Sequence, residues 1–248
     1  MEIQSISIPI KSERLSGLLY IPFHTGRKKL PSIVIFHGRG SSKKGQGSNK
    51  KRYMDRAYAL SEKGFLTLVF DFRGCGESDG DFNQQTIAMG FEDAIAGYEF
   101  IQQHPLCDSK RIGVLGGSYG GYEAALLSSK FPIASLILSV PAIFQDKWWD
   151  IVPETLDLIK TGLFKQQSGI ENTKAIASIQ SYTGKLLVVE HEKDTLIPKK
   201  FTDAYYQNAF KTSLKKKEII PNAPHSLHDK IFLDQSINIV TKWFTETL

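Results

Sequence analysis

Ser118 is the residue whose setting first suggests chemistry. It stands in Gly116-Gly117-Ser118-Tyr119-Gly120, with the apolar run 112–115 before it and a helical pattern over 122–127 after it. A glycine two places before and two places after a serine, at a junction from strand to helix, is the pattern of a nucleophile elbow. The turn is so sharp that a side chain at either glycine position would collide with neighbouring backbone. Such a turn presents the serine hydroxyl at the end of the strand, where it can attack an acyl carbonyl. A tight turn with an idle serine satisfies the same pattern, so the rest of the chain must supply the partners.

A serine hydroxyl is a weak nucleophile at neutral pH. It needs a base to take its proton and an acid to fix the tautomer of that base. Where the elbow occurs, the chain order is serine, acid, histidine. After the apolar run 186–189 comes Glu190-His191-Glu192-Lys193-Asp194, a polar loop at the carboxyl end of a strand, where sites on parallel sheets lie. Asp194 is the expected acid, with Glu190 and Glu192 as weaker candidates. Three histidines follow the serine: His191, His225 and His228. His191 sits beside the acid and is poorly placed to bridge it to the serine. His228 is expected in the first turn of the last helix, exposed. His225, in a loop after the strand-like 217–220, is the expected base. The oxyanion formed during attack needs N–H donors. The backbone of Tyr119 is one, and the Gly-rich turn Phe36-His37-Gly38-Arg39-Gly40 offers a second at Arg39, with His37 supporting the loop.

The elements that must hold these residues follow from hydrophobic periodicity. Alternation over 3–8 and 15–21 predicts an antiparallel pair at a sheet edge. Short apolar runs at 32–36, 65–70, 112–115, 135–140 and 186–189 read as strands buried on both faces. Helical patterns at 52–62, 86–103, 119–129, 200–210 and 227–244 lie between or after them. The alternation implies an α/β fold with a mostly parallel, doubly wound sheet in a single domain spanning 1–248. The stretch 141–184 breaks it, with amphipathic pieces at 151–164 and 171–179, and reads as an inserted helical cap. Trp148, Trp149 and Phe144, with Phe164, are candidates to line an apolar substrate pocket or to pack the cap down.

Composition narrows the class further. The 31 basic and 26 acidic residues give a net charge of +5, but they are interleaved along the chain, so nucleic acid is not an expected partner. The basic residues Lys43 and Lys44, with Arg39, could favour an acidic substrate or simply face water. Two cysteines, Cys75 and Cys107, are too few for a disulfide framework and lack metal-ligand spacing. No apolar run approaches the ~20 residues of a membrane span, and the N-terminus has no signal-like segment. A cytoplasmic protein needing no cofactor and no metal is expected, with monomer and homodimer both open.

With these residues assembled, the chain resembles the α/β-hydrolase superfamily over nearly its whole length, and within it the small esterase, dienelactone-hydrolase-like and serine-aminopeptidase-like branches. Asp71-Phe72-Arg73-Gly74-Cys75-Gly76-Glu77-Ser78 resembles the loop these families carry after their fourth strand, and Lys193-Asp194-Thr195-Leu196-Ile197-Pro198 resembles their acid loop. The resemblance implies eight strands, a serine hydrolase mechanism on Ser118, Asp194 and His225, and an oxyanion role for Arg39 and Tyr119. The cap is similar to that of bacterial cinnamoyl and feruloyl esterases, which implies a small acyl or aromatic ester as substrate. Glu190-His191 departs from the His-Gly that many relatives carry there and puts an extra charge and ring near Asp194. A peptidase or thioesterase with the same three residues, or a binding protein that has lost the reaction, remains a rival reading.

Overall fold

Eight strands form one sheet in the computed structural model, which describes residues 1–23, 26, 28–39, 51–153 and 163–248, with backbone only at 51, 52 and 163. The strands are β1 (Glu2–Ile10), β2 (Glu13–Ile21), β3 (Leu30–Phe36), β4 (Leu66–Phe70), β5 (Cys107–Gly117), β6 (Ser135–Ser139), β7 (Lys185–His191) and β8 (Leu214–Ile220). Their spatial order is β1-β2-β4-β3-β5-β6-β7-β8. The expected edge hairpin is present: β1 pairs antiparallel with β2, and β2 with β4. From β4 to β8 every pairing is parallel. The sheet is therefore mixed, with an antiparallel edge on a parallel body.

The parallel strands read as continuous apolar runs because helices cover both faces. Successive side chains of a strand point to opposite faces, and the core divides accordingly. Val34 and Phe36, with Val114, Leu136, Leu138 and Val188, pack on one side. Ile33, Ile35, Leu115, Ile137, Leu187 and Val189 pack on the other. The first layer is built from α2 (Ile87–Gln103), α3 (Tyr119–Leu127), α5 (Lys174–Ser181) and α6 (Lys199–Asn208). The second is built from α1 (Lys51–Glu62) and α7 (Lys230–Thr247). Each of these fully buried aliphatic side chains contributes about 1.5–3 kcal/mol relative to leaving it in water.

Two boundaries differ from the sequence expectation for local reasons. α7 begins at Lys230, because Asp229 caps it by accepting the Ile231 N–H (2.8 Å), so His228 lies in the preceding loop. Between β6 and β7, 3-10 turns at Asp146–Trp148 and Ile170–Asn172 and the short α4 (Leu163–Gln166) precede α5. α5 itself buries Ile176 and Ile179 in the main helix layer. Most of the expected amphipathic piece 151–164 lies outside the described residues.

Candidate active site

The turn at the end of β5 is as sharp as its glycines require. Ser118 has φ 53° and ψ −114°, a conformation that costs a non-glycine residue about 1–3 kcal/mol. Its surroundings hold it there. Ser118 N–H donates to Ser139 O (2.9 Å), and Ser118 O accepts from Gly121 and Ala142 N–H (both 3.0 Å). A Cβ on Gly116 would come within 2.3 Å of Gly120 O, and one on Gly120 within 2.3 Å of Phe36 O. The backbones at the elbow and at β3 are therefore in direct contact, with no room for side chains between them.

Asp194 and His225 come from loops after β7 and β8, and the structure brings them together. His225 Nδ1 lies 2.7 Å from Asp194 Oδ2. Asp194 Oδ1 accepts the N–H groups of Leu196 (2.8 Å) and Ile197 (2.9 Å). Burial raises the Asp194 carboxyl, but the His225 bond and charge and the two backbone N–H groups outweigh it and hold the group below its ordinary value. An ionised Asp194 fixes the proton on His225 Nδ1 and leaves Nε2 as the acceptor. The two loops are tied to each other as well, by Lys193 N–H to Ala223 O (2.9 Å) and Asn222 N–H to Glu192 Oε2 (2.7 Å).

The other candidates around Asp194 are engaged elsewhere. Glu190 accepts from Thr202 Oγ1 (2.8 Å) and pairs with Lys217 (2.6 Å). Glu192 receives the Asn222 N–H. His191 Nδ1 lies 2.9 Å from Pro224 O, which can only accept, so the proton sits there. His191 Nε2 is buried without a partner. Burial pushes this imidazole down to about 4, so the ring is neutral. The residue that sequence reading set aside thus braces the loop carrying His225.

The turn after β3 lies against the serine. A Cβ on Gly38 would be 3.2 Å from Ser118 Cβ. His37 Nε2 accepts the Phe72 N–H (3.0 Å), so Nδ1 carries the proton and donates to Gly38 O (2.8 Å). Gly38 C=O and Arg39 N–H belong to one peptide unit, and no cis bond is present among the described residues. In a trans unit the two point in opposite directions, so Arg39 N–H is directed away from His37. Tyr119, the first residue of α3, has an N–H with no acceptor in a preceding helical turn. Gly38 N–H donates to Tyr53 Oη (3.2 Å).

A cavity of about 560 Å³ opens on these groups, within the range of small-molecule sites. Ser118, His225, His191, Gly38 and Arg39 line it, and so do residues that the sequence did not single out: Tyr53, Asp55 and Arg56 of α1, and Leu233 and Ser236 of α7. No sequence signal marks these, since only the packing of α1 beside α7 brings them to the serine. Phe144, Trp148 and Trp149 do not line this cavity. The Phe144 ring is buried among Tyr119, Tyr122 and Phe164. Trp149 packs edge-on against Phe91 (5.7 Å), and its carbonyl accepts the Ala88 N–H (2.8 Å). Lys43 and Lys44 lie outside the described residues. Among the described residues no group of His, Cys, Asp and Glu side chains could hold a metal ion.

Known proteins resemble this chain at several levels. The model of the prolyl oligopeptidase family matches residues 51–248. A curated Escherichia coli relative, an uncharacterised 31.7 kDa protein encoded between traX and finO, is 43% identical over 114 residues, 45% of this chain. The chain spans about two fifths of that relative's length, 38%. Among solved structures, Est1E from Butyrivibrio proteoclasticus with bound ferulic acid superposes with a TM-score of 0.74 at 19% identity, covering 98% of each chain. A dienelactone hydrolase from Anabaena variabilis gives 0.68 at 17% identity, covering 100% of this chain and 98% of that one. At these identities the structural likeness shows the shared α/β-hydrolase fold.

Proposed function

The chain belongs to the prolyl oligopeptidase family, and from that premise we propose that it is a serine hydrolase acting on small acyl or aromatic carboxylic esters through an acyl-enzyme. The observation that carries this reading is the convergence of two things on one cavity: a serine held at positive φ on an elbow, and a histidine whose Nδ1 is bonded to an ionised aspartate. Ser118 Oγ attacks the carbonyl carbon while His225 Nε2 takes its proton, and the N–H groups of Arg39 and Tyr119 hold the oxyanion. The alcohol leaves with the proton from His225. Water, deprotonated by the same ring, then releases the acid. Ser118 and His225 line the same cavity, and no hydrogen bond of Ser118 Oγ is present among the described residues. Free enzymes commonly show such loose catalytic contacts.

The substrate is a small molecule accommodated beside Tyr53, Leu227 and Leu233. The chain acts as one domain, with 141–184 as a cap that is anchored on the start of α2. With only two cysteines in the chain, both buried, a reducing, cytoplasmic setting is the proposed one, and no helix among the described residues is long and apolar enough to cross a membrane. A peptidase is the second reading, favoured by the name of the family that matches. The test is a panel of p-nitrophenyl esters beside dipeptidyl and prolyl amides. Ester turnover that is lost in Ser118→Ala, with the amides untouched, supports the esterase. Turnover of the amides alone moves the assignment to the peptidase, and ester turnover unchanged in Ser118→Ala refutes the serine mechanism.

A further inference from the structure

The two residues whose backbone N–H groups are assigned to the oxyanion have side chains that meet. The Arg39 guanidinium lies over the Tyr119 ring, 5.4 Å from its centroid, and over the Phe82 ring at 4.5 Å. Its donors are fixed from a third direction: Nη1 to Gln85 Oε1 (2.5 Å), and Nη2 to Phe82 O (3.1 Å) and Gln85 O (3.2 Å). Gln85 is anchored in turn, since its Nε2 donates to Asp93 Oδ2 (3.2 Å), and buried Asp93 pairs with Arg73 (2.6 Å). Tyr119 is wedged on its other sides by Phe72 and Phe144. Both ends of the guanidinium–ring contact are therefore immobilised.

We infer that the Arg39 side chain is a positioning residue that clamps the turn after β3 to the first turn of α3 and so sets the spacing of the two oxyanion donors. The inference rests on the serine hydrolase reading above and deepens it. An arginine in such a turn would ordinarily extend into solvent or toward an anionic substrate. Here Nη1, Nη2 and the planar face are spent on the protein, in contacts that a lysine could make only in part. The effect of the clamp belongs to the transition state. A donor displaced by a fraction of an ångström still admits substrate but fits the oxyanion poorly.

The test compares wild type with Arg39→Met and Arg39→Lys, both of which keep the backbone N–H. Turnover of a p-nitrophenyl ester is measured together with the inhibition constant of a trifluoromethyl ketone. The ketone takes the serine oxygen on its carbonyl carbon, passes the serine proton to the histidine and presents an oxyanion to the same donors. For Arg39→Met the expected result is a kcat lower by roughly 10- to 100-fold with KM within about twofold. Ketone affinity falls by the same factor, and Arg39→Lys is intermediate in both. Thermal melts identify folded variants, and if Arg39→Met does not fold, Arg39→Lys alone carries the comparison. Wild-type kcat in either folded variant would overturn the inference, as would a fall in kcat that ketone affinity does not follow. If the wild type neither hydrolyses the ester nor binds the ketone, the functional reading itself fails and the clamp falls with it.

Discussion

At the scale of single residues, His191 carries a pH dependence. Burial holds its imidazole down to about 4, against an ordinary 6.5. The unfolded chain therefore takes up a proton near pH 6.5 and the folded chain only near 4. Between those values the unfolded state holds more protons, so stability falls as the pH falls, and below about 4 the loss levels off. The full loss from this group is ~3 kcal/mol. His191→Gln keeps a donor for Pro224 O and removes the titration. Its melting temperature is expected to fall less steeply than that of wild type between pH 6.5 and 4.5, and parallel curves would assign the acid sensitivity to other groups. The residue-scale reading of the sequence was most informative where chemistry fixes chain order: Ser118, Asp194 and His225 are spaced far apart, yet the acid and the histidine lie in hydrogen-bond contact. It was least informative for Tyr53 and Ser236, whose types carry no signal, and for the tryptophans, where an aromatic side chain looks the same whether it lines a pocket or packs.

At the scale of elements, the elbow is the least tolerant junction. Gly120 faces Phe36 O at 2.3 Å and His37 O at 2.6 Å from where a Cβ would stand, and both neighbours are backbone that cannot rotate away. Gly120→Ala is expected to cost ~2 kcal/mol through this overpacking, a fall in melting temperature of roughly 4–8 °C. It also displaces the turn carrying Arg39, so ester turnover falls with stability. A variant with wild-type melting and turnover would show that the elbow relaxes freely. The strands at β3, β4, β6 and β7 were legible because each is an apolar run buried on two faces. β5 extends further back than expected, since 108–111 are polar and only partly buried or exposed and belong to the strand only by continuing its extended path toward Leu30. β8 was legible only at its end, because Lys215, Lys216 and Lys217 sit on an edge strand, where charge guards against pairing with other chains.

At the scale of the whole molecule, the sheet order brings the ends of β3, β5, β7 and β8 to one rim, and the residues proposed for catalysis come from the loops on that rim. This arrangement explains how positions from 38 to 236 share one cavity. It also explains why the cavity wall from α1 and α7 could not be read in advance: the second helix layer is fixed by packing on Ile33, Leu115 and Leu187, not by any local pattern. The central claim is that Ser118 is activated by His225. The most direct measurement is intact-mass labelling of the folded protein by a fluorophosphonate, followed by mapping of the modified peptide. The account predicts a single adduct on Ser118, formed fast in wild type, absent in Ser118→Ala and slowed by at least about a hundredfold in His225→Ala. A folded wild type that takes up no label, or label that lands on another residue, would contradict it.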